Sequence, residues 1–249
     1  MAAVKTCAAA LAVVAASLTL SAQTPQPSSR SHSGRLFPPQ DLGLLEAPDR
    51  DEWQRPHQIL DALGVAEASV VADVGAGSGW FTVRLARRVG PNGRVYAQDV
   101  QPEMLAAITK RVQREGLANV RTQLGRGSDP YLPAGTFDAI LIVDVVHEIE
   151  DRVTLFANLG RALKPGGVIG VIDFKPGGAG PGPDPDERIA AGSVEAEALK
   201  GGLVMKRRET FLPFQYFLIF GRQETTAAPD PSGRARGAAP ERPGRPPAP

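Results

Sequence analysis

The residues best suited to chemistry fall in two short stretches. Gly75, Gly77 and Gly79 lie in Asp73-Val74-Gly75-Ala76-Gly77-Ser78-Gly79, directly after an apolar run. Glycines at the end of a strand let a ligand approach the backbone and expose amide groups to it. Asp99 follows downstream, about twenty residues beyond the glycines, where a carboxylate can accept both hydroxyls of a ribose and would repel a phosphorylated one. In the second stretch Asp144, His147 and Glu148 sit close together. A histidine there can take up a proton near neutral pH, so His147 is the candidate general base, with Asp144 beside it. The competing reading has Asp144 capping a turn, His147 packing beside a helix start and Glu148 solvated.

Other chemistries fit less well. The spacing is G-x-G-x-G, with Trp80 where the third glycine of a dinucleotide fingerprint would stand, which disfavours a pyrophosphate cradle and an NAD-binding oxidoreductase. Ser78 follows a strand, but Ala76 and Trp80 replace both glycines of a nucleophile elbow, and Asp144 and His147 are too close in sequence for a hydrolase triad. With three histidines, at positions 32, 57 and 147, and a single cysteine, Cys7, a histidine- or thiolate-rich metal site and an internal disulfide are disfavoured.

The elements that must position these residues alternate. Val70 to Val74 reads as a strand, and Phe81, Leu85, Ala86 and Val89 recur at helical spacing until Gly90-Pro91. Arg94 to Gln98 closed by Asp99 is a second strand, and Pro102 opens a helix through Met104, Leu105, Ile108 and Val112. Val120 to Leu124, Phe137 to Val143 and Val168 to Asp173 are further strands, with a helix over Val153 to Leu163 before a Lys164-Pro165-Gly166-Gly167 turn. Arg50 to Leu63 reads as one helix and Asp186 to Leu199 as another; Met205 to Phe211 and Gln215 to Phe220 form a closing antiparallel pair. The fold class is therefore α/β, a Rossmann-like, seven-stranded, mostly parallel sheet with an antiparallel last strand and helices on both faces.

Glycine and proline concentrate toward the ends and between residues 176 and 185. Residues 1–22, with Lys5, an apolar run from Cys7 to Leu20 and a small residue at Ala22, read as a signal peptide, so the expected location is periplasmic or extracellular, with no stable membrane insertion after cleavage. Residues 23–45 read as a flexible linker, 46–224 as the domain, and 225–249 as a disordered Pro/Arg/Gly/Ala tail. The formal charge of +1 gives no electrostatic case for nucleic acid.

The sequence resembles the class I S-adenosylmethionine-dependent methyltransferases through Val71 to Gly79, Val95-Tyr96-Ala97-Gln98-Asp99, Pro102-Glu103-Met104-Leu105 and Leu163 to Gly167. Trp53-Gln54-Arg55-Pro56, Val143 to Ile149 and Leu212-Pro213-Phe214-Gln215-Tyr216 are similar to a bacterial group of exported methyltransferase-domain proteins. The resemblance implies S-adenosylmethionine as cofactor, with Gly75, Ala76, Gly77 and Gly79 against its methionine and ribose, Asp73 near its amino group, Asp99 and Val100 at the ribose, and Asp144 at the methyl end. Where relatives carry an acidic residue for the adenine amino group, this chain has Gly125-Arg126-Gly127-Ser128-Asp129, so Ser128 or Asp129 is expected to substitute. Asp144 and Asp173 are placed like the metal carboxylates of catechol-type methyltransferases, but Phe174 replaces the asparagine ligand, and no metal is expected. The expected activity is methyl transfer to a small molecule, the alternative a non-catalytic cofactor-binding protein of the same fold.

Overall fold

The computed structural model describes residues 36–223 of the 249. The signal peptide, the linker up to residue 35 and the tail lie outside the described residues. The chain begins with a 3-10 helix, Pro39–Glu46, and two short helices, α1 (Arg50–Gln54) and α2 (Pro56–Ala62). It then runs β1 (Val70–Val74), α3 (Trp80–Val89), β2 (Arg94–Asp99), α4 (Pro102–Arg114), β3 (Val120–Leu124) and β4 (Phe137–Val143). A 3-10 turn at Val146–Glu148 leads to α5 (Arg152–Ala162), β5 (Leu163–Phe174), α6 (Ala191–Lys200), β6 (Leu203–Glu209) and β7 (Gln215–Arg222). These strands form one seven-stranded sheet in the order β3-β2-β1-β4-β5-β7-β6, with β7 alone reversed.

The order reverses between β1 and β4, which pair in parallel from Val71 opposite Ala139 to Val74 opposite Ile142. Ligand crevices of open α/β sheets lie at such switch points, beyond the carboxyl ends of the strands. Both glycine-loop and histidine stretches start there, one after β1 and one after β4. The sheet is apolar on both faces, as parallel strands covered by helices must be. Phe137, Ile140, Phe156, Leu159 and Phe220 pack under α5 and α6, while Ile59, Leu60, Phe81, Leu85, Leu141 and Phe217 pack on the opposite face.

Several elements depart from expectation for local physical reasons. The helix expected over Arg50 to Leu63 breaks at Arg55, which adopts a left-handed φ of 49° because the residue before a proline is pushed out of the right-handed helical region. Strand β5 begins at Leu163 rather than Val168: Phe137 pairs with Leu163 and Ala139 with Val168, so the Lys164 to Gly167 turn is a bulge within the strand. Helix α6 begins at Ala191, after the loop, instead of near Asp186. Residues 36–45, expected as part of a linker, include most of the Pro39–Glu46 helix and line the cavity described next.

Candidate active site

A cavity of about 500 Å³ opens at the switch point. Its floor is the glycine turn. Gly75 holds φ at 68°, and a Cβ there would come within 2.3 Å of the Val145 side chain, so the first loop can pass the second only with glycine at this position. The Ala76 amide donates to the Gln98 carbonyl at 2.9 Å, tying the turn to the end of β2. Asp99 accepts from the Gly77 amide at 3.0 Å through Oδ2 and from the Gln101 amide at 3.0 Å through Oδ1. Each carboxylate oxygen keeps a lone pair for a ligand hydroxyl. Burial raises the pKa of Asp99, against the backbone amides of Gln101, Gly77 and Val100, which favour its charged form. Asp73 is buried as well and accepts from the Thr82 hydroxyl at 2.6 Å; burial pushes its pKa up to about 6 despite that bond.

The second stretch closes the other side. Asp144 sits at φ 58°, turned back so that its amide donates to the Ile172 carbonyl at 2.9 Å. His147 Nδ1 lies 2.9 Å from Asp173 Oδ2 and 3.1 Å from Oδ1, and its amide also donates to Oδ2 at 3.3 Å. Asp173 is fully buried and takes the Phe174 amide on Oδ1 at 2.8 Å. Burial works against the imidazolium, but the bond and charge of Asp173, with Glu148 and Asp144, prevail and hold the His147 pKa at about 8. Burial pushes Glu148 up to about 7, against the charge of His147, which favours the carboxylate. Asp144 is likewise raised, by burial and by the charge of Asp173.

Asp73, Gly75, Ala76, Gly77, Asp99, Val100, Asp144 and His147 all line this cavity. Gly79 does not; it supplies the left-handed residue, φ 79°, that starts α3. Ser128 and Asp129, one of which was expected to meet the adenine, are not among its lining residues. Arg126 and Asp129 exchange backbone hydrogen bonds of 2.8 and 2.9 Å, and this tight turn directs the Ser128 carbonyl to Asn158 Nδ2 and the Asp129 carboxylate to the Tyr131 amide. Gly127 and Pro130 line the cavity in their place.

Three contributors had no signal in local sequence. Arg50 stacks 4.4 Å from the Trp80 ring centroid, donates to Gln54 Oε1 at 2.5 Å and lies 3.9 Å from Asp144. Trp53 and Phe174 form an aromatic wall, their centroids 6.0 Å apart. The segment from Leu36 to Leu45 forms a strap over the glycine turn: the Phe37 carbonyl accepts from Gln101 Nε2 at 3.0 Å, and a Cβ on Gly77 would approach Leu45 within 3.1 Å.

Comparison with known proteins agrees with this geometry. A family model described as a methyltransferase domain matches residues 71–167, which include the glycine turn, Asp99, Asp144 and His147. A solved S-adenosylmethionine-dependent methyltransferase from Aquifex aeolicus superposes with a TM-score of 0.71 at 29% identity, over 74% of this chain and 98% of that one. The chain is thus similar to S-adenosylmethionine-dependent methyltransferases, through the domain at residues 71–167 and through a shared structure over most of its described length. Among curated members of this group, the nocamycin O-methyltransferase of Saccharothrix syringae is 33% identical over 139 residues, 55% of this chain and 47% of that protein. The demethylmenaquinone methyltransferase of Geobacillus stearothermophilus is 29% identical over 117 residues, 47% of this chain and 49% of that protein. The chain thus spans about half the length of these curated relatives.

S-adenosylmethionine is the cofactor on which the Aquifex aeolicus protein depends, and the cavity of this chain fits it. Asp99 keeps free lone pairs that suit ribose hydroxyls, the glycine turn leaves room over its backbone, and buried Asp73 and half-buried Asp144 would supply negative potential for a sulfonium and an ammonium.

Proposed function

We propose that the protein transfers a methyl group from S-adenosylmethionine to a small molecule, with His147 as the base. The observation that carries this reading is the His147–Asp173 pair opening onto the cavity that the glycine turn floors. The cofactor supplies an electrophilic methyl on a sulfonium, so proximity, orientation and proton removal are what remain for the protein. Asp173 binds Nδ1 and thereby leaves Nε2 as the face of His147 able to take a proton. Asp144, held by Gln215 Nε2 at 2.5 Å, stands beside it with a charge suited to a cationic centre. Glycine turn and Asp99 orient the other end. The relatives named for an antibiotic and a quinone precursor support a small acceptor. The nearly balanced formal charge of +1 supports the same choice over nucleic acid.

The test is calorimetric titration of residues 23–249 with S-adenosylmethionine and S-adenosylhomocysteine, followed by radiolabelled methyl transfer to pooled small molecules. Micromolar binding that is lost in Asp99→Ala, with label transferred in one pool, is the expected result. No binding by folded protein would overturn the reading, and binding without any turnover would favour a cofactor-binding protein.

We also propose export. The charged start, the apolar run from Cys7 to Leu20 and the small residue at Ala22 support it, and among the described residues no helix is long and apolar enough to cross a membrane. Amino-terminal sequencing of protein recovered outside the cytoplasm should begin at Gln23; uncleaved cytoplasmic protein would refute it.

A further inference from the structure

The charges lining the cavity are one-sided. Asp73, Asp99, Asp144, Glu148, Asp184 and Glu187 all contribute carboxylates, whereas Arg50 is the one lysine or arginine among the described lining residues. Arg50 is already committed. Its Nε donates to Gln54, Nη1 to the Leu45 carbonyl, and Nη2 faces Asp144, while the guanidinium plane covers Trp80. The next cations along the chain are equally tied. Arg188 donates to the carbonyls of Pro183 at 2.9 Å and Gly178 at 2.8 Å, and Lys175 to those of Leu212 at 3.0 Å and Pro213 at 3.1 Å. When His147 is protonated, its charge is matched by Asp173 at 2.9 Å. Among the described lining residues no further positive side chain stands beside Glu148, Asp184 and Glu187 to meet an acceptor's phosphate or carboxylate, whereas the cofactor's own carboxylate would have the amides of the glycine turn, and burying an unpaired anion among carboxylates is strongly unfavourable.

The end of the cavity beyond Asp144 and His147 is walled by Trp53 and Phe174, whose rings are inclined at 47°, and roofed by the loop through Pro181 and Pro183. That loop cannot lift away without losing close packing: a Cβ on Gly182 would fall within 2.6 Å of the Phe174 ring. Flat apolar walls select a flat apolar ligand, and a few polar groups at one end orient it.

We propose that the acceptor is an uncharged aromatic molecule bearing a hydroxyl group, and that the cavity discriminates against the corresponding carboxylate. This rests on the methyltransferase reading above. In the reaction the hydroxyl oxygen bonds to the methyl carbon as the carbon–sulfur bond breaks. The electron pair of that bond stays on sulfur, giving S-adenosylhomocysteine. The hydroxyl proton passes to Nε2 of neutral His147, so the sulfonium charge is replaced by the imidazolium charge.

The test uses binding as well as turnover. Protein saturated with S-adenosylhomocysteine is titrated at pH 7.5 with 2-naphthol and with 2-naphthoate, which share a ring system and differ in charge. We expect 2-naphthol to bind at least tenfold more tightly. In the double variant Asp184→Lys with Glu187→Lys, naphthoate affinity should rise at least fivefold while S-adenosylhomocysteine affinity stays the same. Equal or reversed preference in the natural sequence, or no detectable naphthol binding to the loaded protein, overturns the inference. Failure of S-adenosylhomocysteine itself to bind is a different outcome and would overturn the methyltransferase reading beneath it.

Discussion

Gln54 and Gln215, 161 residues apart in sequence, meet through a buried hydrogen bond of 3.1 Å from Gln54 Nε2 to Gln215 Oε1. The bond is one side of a closed polar ring. Gln215 donates to Asp144, Asp144 faces Arg50, and Arg50 donates back to Gln54. The ring fixes the start of α1, the end of β4 and the start of β7 relative to one another at the edge of the cavity.

Breaking that ring should be costly. In Gln215→Leu, half-buried Asp144 loses its nearest donor and fully buried Gln54 its acceptor. Leaving a buried polar group without a partner costs about 1–3 kcal/mol, so denaturant unfolding should show a loss of that order. A change under about 0.5 kcal/mol, the scatter of ordinary surface substitutions, would show that water replaces the amide.

Asp99→Ala removes a carboxylate that organises two backbone amides and offers its remaining lone pairs to a ribose. Hydrogen bonds to charged groups are worth about 1.5–3 kcal/mol, so cofactor affinity should fall by at least tenfold. Thermal unfolding of the ligand-free variant should also come earlier, because the amides of Gly77 and Gln101 lose their acceptor, a cost of about 1–3 kcal/mol that the relief of a carboxylate disfavoured by burial offsets in part. Calorimetry and a melting curve read the two effects separately.

Turnover should rise with pH through about 8, where His147 becomes neutral. Asp173→Asn removes the group that raises this pKa, so the inflection should move to lower pH while kcat falls because the ring is no longer oriented. A profile of kcat against pH for both proteins checks this. An inflection unmoved by Asp173→Asn would show that another group controls the rate.

Stability should fall as pH rises. Asp73 and Glu148 carry folded-state pKa values of about 6 and about 7, above those of the free carboxyls, so each stabilises the fold when protonated and loses that contribution as pH climbs through the folded value. His147, raised to about 8, has the same sign: its contribution is complete below its ordinary value of 6.5 and lost as pH passes 8. The melting temperature of the ligand-free protein should therefore decline between about pH 4.5 and pH 8 on account of these groups. Asp73→Asn should flatten the lower part of that slope and His147→Asn the upper part.

What could be read before the structure follows a physical line. The glycine turn, Asp73 and Asp99 declare themselves because their function is carried by backbone conformation and by strand ends, both written in short contiguous stretches. The strands were legible for the same reason, since each is an apolar run bounded by turn residues. Pairings across the sheet were not. Arg50 looked like a helix start and Asp173 like a strand end, and only the parallel pairing of β4 with β5 brings Asp173 to His147, 26 residues away. Ser128 and Asp129 had the right chemistry, but their turn closes on itself through Arg126 and points both away. Residues 36–45 have a linker's composition, yet the Phe37 carbonyl accepts from Gln101 and Arg50 donates to the Leu45 carbonyl.

The roof of the cavity comes in two pieces from distant parts of the chain. Leu36 to Leu45 covers the glycine turn, and Pro181 to Glu187 covers the wall of Trp53 and Phe174. Because the loop over Phe174 is held by close packing and the strap is a separate piece of chain, the strap should release a spent nucleoside while the other ligand stays seated. Exchange of one occupant then imposes no fixed order on the other, and inhibition by the spent nucleoside should compete with fresh cofactor alone.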